Sequence, residues 1–168
     1  MSDLENIPGI IKRMASDLVS LIEQAGHSNP AMVGIHTGGV WVAARLQEQL
    51  NISSPLGSLD ISFYRDDFTR LGMNPVVRPS QLPFNIDDRH IILVDDVLHT
   101  GRTIRAAMNE LFDYGRPASI LLATLVERDG RELPIQANVV GSHVRLTPRQ
   151  HIKLLGPDPL KLEIKQIP

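Results

Sequence analysis

The sequence predicts an α/β fold, with a mostly parallel central sheet flanked by helices on both faces. Three observations predict it. Strand-like and helix-like pieces alternate along the chain. The run Ile91 to Val94 is apolar throughout, as a strand covered on both sides must be. The stretch "VGIHTGG" joins a strand directly to a helix through a glycine turn. With 168 residues and 42% hydrophobic content, the chain can build one proper core, and residues 1–168 are expected to form a single domain.

The elements follow in order. Apolar residues at 10, 11, 14, 18, 21 and 22 form one face of a helix over Ile10 to Ala25, which Gly26 and Asn29-Pro30 close. "AMVGI" reads as a short strand, Thr37-Gly38-Gly39 as a turn, and "VWVAARLQEQL" as a helix. Leu59 to Tyr64, "LDISFY", alternates as a strand. Arg65 to Asp88 has mixed charge, three prolines and no period, longer than an ordinary loop in a compact domain. After the strand Ile91 to Val94, a polar loop leads into Ile104, Ala107, Met108 and Leu111, one face of a second amphipathic helix. "SILLATLVE", "VVGSHV" and "LKLEIKQI" complete the series as strands.

Composition narrows the function. Cysteine is absent, which excludes disulfides, a thiolate metal site and a thiol nucleophile. The histidines at 27, 36, 90, 143 and 151 have no metal-ligand spacing. A formal charge of -2, with no Lys/Arg block, is unlike a dedicated nucleic-acid-binding module. No segment approaches membrane-spanning length, so the expectation is a cytoplasmic protein without a membrane partner.

The chemistry concentrates in "ILVDDVLHTGRT". Asp95 and Asp96 stand where the apolar run stops, and strand geometry sends their side chains to opposite faces, which suits two tasks rather than a shared proton. They can accept hydrogen bonds from ribose hydroxyls and hold the waters of a magnesium ion, which takes few carboxylates plus substrate oxygens. Thr100, Gly101, Arg102 and Thr103 supply hydroxyls, a close backbone approach and N–H groups at a helix start, a cradle for a monophosphate. The plainer reading is a capped helix whose acids answer the dipole.

This stretch resembles the phosphoribosyl pyrophosphate motif of type I phosphoribosyltransferases. Together with "VGIHTGG", "DISFYRDD" and "YGRPASILLATLVERDGRELPI", in that order, it resembles the family of bifunctional pyrimidine operon regulators and uracil phosphoribosyltransferases, from about Val33 to Gly141. The resemblance implies a type I phosphoribosyltransferase-like sheet with a flexible lid loop and a small hood. It implies pentosyl transfer from phosphoribosyl pyrophosphate to uracil, giving UMP and pyrophosphate, with magnesium, in a homodimer or higher homo-oligomer. Val97 and Leu98 then join Thr100 to Thr103 at the phosphoribosyl group. Thr37, Gly38 and Gly39 hold pyrophosphate, although a glycine turn needed only for packing would read the same way. The segment after Tyr64 becomes the lid, where Arg65 and Arg78 reach the phosphates, or Arg65 pairs with Asp66 or Asp67. Val126, Glu127, Arg128 and Val140 fall at the base pocket, in a hood after the fourth strand.

Two positions depart from the family pattern. Gly38 stands where arginine is common, which leaves pyrophosphate to backbone donors. His99 stands where tyrosine is common, and it can exchange a proton with the base, donate one hydrogen bond, or have no role. The family's second activity is binding leader RNA under the control of uridine nucleotides. Here Arg128 and Arg131 remain, but Gln136 and Ser142 replace basic residues, which speaks against RNA attenuation. Three functions stay open: a uracil phosphoribosyltransferase, a non-catalytic nucleotide-sensing regulator of pyrimidine genes, and a phosphoribosyltransferase for another base.

Overall fold

A computed structural model describes residues 2–61 and 79–168. After a 3-10 turn at Ser2–Glu5, helix α1 (Ile7–Ala25) begins one turn earlier than its apolar period suggests, because the Asn6 side chain caps it by accepting from the Gly9 N–H at 3.1 Å. Strand β1 (Ala31–Ile35) is buried along its length and passes into α2 (Gly38–Leu50). Strand β2 is only Gly57–Leu59, shorter and earlier than the Leu59 to Tyr64 expectation, of which residues 62–64 lie outside the described residues. Its place is set by parallel pairing of Val33–Ile35 with Gly57–Leu59. The returning chain adds an antiparallel bridge from Gln81 to Ser58, so part of the aperiodic Arg65 to Asp88 segment is a sheet edge.

Strand β3 (His90–Leu98) is nine residues long, with α3 (Arg102–Tyr114) after it; β4 (Ser119–Arg128) and β5 (Val139–Val144) follow. The five strands form one sheet in the order β2-β1-β3-β4-β5, every neighbour parallel, as the sequence predicts. The strand therefore does not stop at Val94, where its apolar run ends. Pairing with β4 continues through Asp95↔Thr124 to Leu98↔Glu127, and both aspartates sit within the strand.

Alternation along β3 divides the core. Ile92 and Val94 pack with α1 and α2, through Ile10, Met14, Leu18, Val42 and Leu46. Ile91 and Leu93 pack with α3, through Ile104, Ala107 and Leu111. An additional strand, β6 (Gln150–Leu155), pairs antiparallel with β7 (Lys161–Gln166) as a separate ribbon. The buried Ile152 and Leu154 seat this ribbon on the α1–α2 layer, leaving His151 and Lys153 exposed. Strand β7 matches the strand expected at "LKLEIKQI", and β6 has no counterpart among the expected strands.

Candidate functional site

A cleft of about 640 Å³ opens at the carboxyl ends of β1 and β3. It gathers Thr37 and Gly38 from the β1–α2 turn, Asp95 to Gly101 from β3 and the loop after it, and Thr103 and Ile104 from α3. Arg128 at the end of β4, Trp41 on α2, and His151 to Leu154 on β6 complete the wall. Crevices at strand carboxyl ends are where open parallel sheets take ligands.

The glycines explain how the two loops meet. A Cβ on Gly39 would stand 2.6 Å from the Val94 carbonyl oxygen, so glycine lets the start of α2 lie directly on β3. A Cβ on Gly38 would stand 2.3 Å from Asp96 Oδ2, so the turn reaches the Asp96 carboxylate only because no side chain is there. The absence of a cationic side chain at position 38 thus has a steric reason. The peptide between His36 and Thr37 is cis. Gly39 lies outside the cleft lining and packs against β3.

The two aspartates differ in exposure. Asp95 is 1% exposed, and its Oδ1 accepts from the Asp96 N–H at 2.9 Å; Asp96 is half-buried, and its Oδ1 accepts from the Val97 N–H at 2.9 Å. Asp95 is the buried one of the pair and lies within β3, in register with Thr124 of β4. Their carboxylates, with the hydroxyls of Thr37, Thr100 and Thr103, are a hard oxygen set of the kind magnesium takes. Among the described residues no group of three or more His, Cys, Asp or Glu could hold a metal ion.

The loop after β3 is fixed from outside the cleft. Gly101 has φ +96°, a left-handed conformation that starts α3, and its carbonyl accepts the first helical bond, from Arg105, at 3.0 Å. The Arg102 N–H donates to Thr100 Oγ1 at 3.2 Å. The Arg102 guanidinium turns to Glu132 Oε2 at 3.0 Å and does not line the cleft. Residues 129–135 pack against this loop: the N–H groups of Glu132 and Leu133 both donate to the Thr100 carbonyl at 3.0 Å, and Arg131 donates to the His99 carbonyl and pairs with Glu127. The His99 ring rests on Gly130, where a Cβ would come 2.9 Å from Nε2.

The base-pocket expectation is only partly matched in space. Arg128 lines the cleft and donates to the Gln150 carbonyl at 3.3 Å, tying β4 to β6. Val126 lies fully buried in the α1–α2 core, Val140 is half-buried on β5, and Glu127 is taken up by Arg131 and, at 3.4 Å, His143. None of these three lines the cleft. The wall facing the aspartates comes from β6, after the fifth strand, where the period-two pattern His151, Ile152, Lys153, Leu154 was the available signal. Arg65 and Arg78 lie outside the described residues.

Comparison with known proteins decides the family. A family model for the phosphoribosyl transferase domain matches residues 1–152. The chain belongs to the phosphoribosyl transferase domain family. Within it the chain is 62% identical over 164 residues to the bifunctional protein PyrR of Nitrosococcus oceani, covering 96% of this chain and 93% of that protein. It is 55% identical to the bifunctional protein PyrR of Pseudomonas syringae pv. tomato, covering 98% and 96%. This is the branch indicated by "GRELPI" and "FYRDD". Among solved structures, a hypoxanthine phosphoribosyl transferase of Trypanosoma cruzi superposes with a TM-score of 0.67 at 23% identity, over 84% of this chain and 75% of that one. A hypoxanthine phosphoribosyltransferase of Staphylococcus aureus gives 0.62 at 19%, over 82% and 74%. These two establish the phosphoribosyltransferase fold.

Proposed function

We propose that this chain transfers ribose 5-phosphate from phosphoribosyl pyrophosphate to N1 of uracil, releasing pyrophosphate and forming UMP. The observation that carries the reading is the single cleft in which the Asp95-Asp96 pair, the Thr100 to Thr103 loop and the Thr37-Gly38 turn converge. As the bond from C1′ to pyrophosphate loosens, positive charge grows on the ribose and negative charge on the leaving group, so both need fixed partners. Thr100, Gly101 and Thr103, with Val97 and Leu98 beneath them, hold the 5-phosphate. Asp96 and Asp95 orient the ribose, and they are the residues that would hold magnesium, which supplies charge neutralisation at the pyrophosphate. Thr37 and Gly38 meet the leaving group. Arg128 and the β6 wall face the base, and His99 donates a hydrogen bond to it or takes its proton. The phosphorylated substrates do not cross membranes unaided, which places the reaction in the cytoplasm. Assembly as a homo-oligomer belongs to the same reading.

Conversion of radiolabelled uracil to UMP with phosphoribosyl pyrophosphate and magnesium tests the proposal, and a panel of other bases tests its specificity. No conversion, together with a melting temperature raised by UMP, would favour the nucleotide-sensing regulator instead. Leader RNA is not assigned as a partner. The two arginines retained near "GRELPI" are engaged within the chain, Arg128 with Gln150 and Arg131 with His99 and Glu127. Specific filter binding of a pyrimidine leader over an equal-length hairpin would overturn that assignment.

A further inference from the structure

Residues 129–135 touch the phosphate loop at several points yet lie outside the lining of the cleft. Three of their hydrogen bonds take carbonyl oxygens of the loop. The Thr100 carbonyl receives two N–H groups, from Glu132 and Leu133, and the His99 carbonyl receives the Arg131 guanidinium. Both peptides, 99–100 and 100–101, are trans. In a trans peptide the C=O and the N–H of the following residue point to opposite sides. Fixing the His99 and Thr100 carbonyls toward residues 129–135 therefore aims the Thr100 and Gly101 N–H groups the other way, toward the cleft that both residues line. Among the described residues neither N–H donates to a backbone carbonyl. Two successive N–H groups held in one direction form a concave anion site.

We infer that Arg131 is a positioning residue for anion binding: with the N–H groups of Glu132 and Leu133, it orients the Thr100 and Gly101 amides toward the 5-phosphate. The inference rests on the transferase reading for the identity of that anion. The ion pair between Arg102 and Glu132 is half-exposed and adds little, so the carbonyl contacts carry the orientation. Arg131 is itself aimed by Glu127 at the end of β4, the strand paired with β3. Leu98 and Glu127 are direct register partners, so the two segments leave the sheet side by side.

The test begins on the wild type. Titration with inorganic phosphate and with ribose 5-phosphate, followed by amide NMR, should move the Thr100 and Gly101 resonances downfield together; failure of both to move would overturn the inference. In Arg131→Met and the milder Arg131→Lys, the Kd for ribose 5-phosphate and the KM for phosphoribosyl pyrophosphate should rise about tenfold, the value of one charge-assisted hydrogen bond. The KM for uracil should stay unchanged, and the downfield shifts should shrink. Wild-type ribose 5-phosphate affinity in folded Arg131→Met would also overturn it. A wild type that binds ribose 5-phosphate through these amides but forms no UMP would sink the transferase reading and leave the positioning role standing.

Discussion

The two ends of β3 are both polar, and they are built differently. At the amino end, His90 stacks on His27, ring centroids 3.8 Å apart, and its Nδ1 lies 2.7 Å from Ser119 Oγ; nearby, Arg89 bonds the Asn29 carbonyl at 2.7 Å and sits over the Phe84 ring. There side chains satisfy one another and close a surface. At the carboxyl end, Asp95 and Asp96 bond the backbone of the next residue, and residues 129–135 bond carbonyls, so the polar atoms stay ordered beside a cleft rather than filling it. Polar residues at a strand end mark a ligand site only when their partners lie behind them. The cluster at the amino end looks as rich in composition, but its side chains bond and stack on one another.

Breaking the carboxyl end should have the largest effect. Asp96→Asn is expected to lower kcat/KM for transfer about 100-fold with the melting temperature little changed, since the residue is half-buried and, among the described residues, its carboxylate accepts from its neighbour's N–H. Asp95→Asn should lose at least about tenfold. It should also melt earlier, because Asp95 is buried, and thermal unfolding beside a steady-state assay separates the two behaviours. Wild-type activity in both variants would remove the aspartates from the site.

A smaller loss is expected from Gly38→Ala. Its methyl group would fall 2.3 Å from Asp96 Oδ2 and must push that carboxylate aside, raising the KM for phosphoribosyl pyrophosphate about tenfold while the fold persists. An unchanged KM would show that the turn and the carboxylate do not act together.

The least effect belongs to the amino end. Burial, and then the neighbouring His27, lower the pKa of His90 from its ordinary 6.5. The unfolded chain therefore binds a proton more readily than the folded one, so stability contributed here is complete above about pH 6.5 and declines as pH falls below it. Between pH 7 and pH 5.5 the melting temperature of His27→Gln should fall less than that of the wild type, with equal transfer activity. Identical slopes would mean that the stacked pair does not report on protonation.

What was legible in the sequence was whatever side-chain pattern encodes. The apolar run of β3, the period of α3 and the string Asp95 to Thr103 each announce themselves in residue types, and the parallel sheet follows from alternating strands and helices, whereas the strand order does not. Strand β6 was missed because His151 and Lys153 interrupt its apolar positions and so read as loop, although their alternation with Ile152 and Leu154 is the signature of a half-covered strand. The resemblance puts Val126 at the base pocket, whereas it lies in the core within β4, and Arg128, two residues on along the same face, reaches the cleft because the strand ends there. The contacts of residues 129–135 were beyond reach for another reason. Backbone N–H groups of Glu132 and Leu133 meeting a carbonyl about thirty positions away leave no trace in residue type, since every residue but proline carries the same N–H.

The register of β3 on β4 sets the limits of a portable part. A designer who grafts only the stretch from Asp95 to Thr103 onto another parallel sheet moves the acids and hydroxyls, but leaves behind the groups that decide which way the loop's peptides face. Because Leu98 stands beside Glu127, the smallest transplantable piece is the whole parallel crossover from His90 to Ile135, strand, helix, strand and the loop after it together. Within it the outer face of α3 is open to redesign, while the spacing from the end of β4 to Leu133 is not.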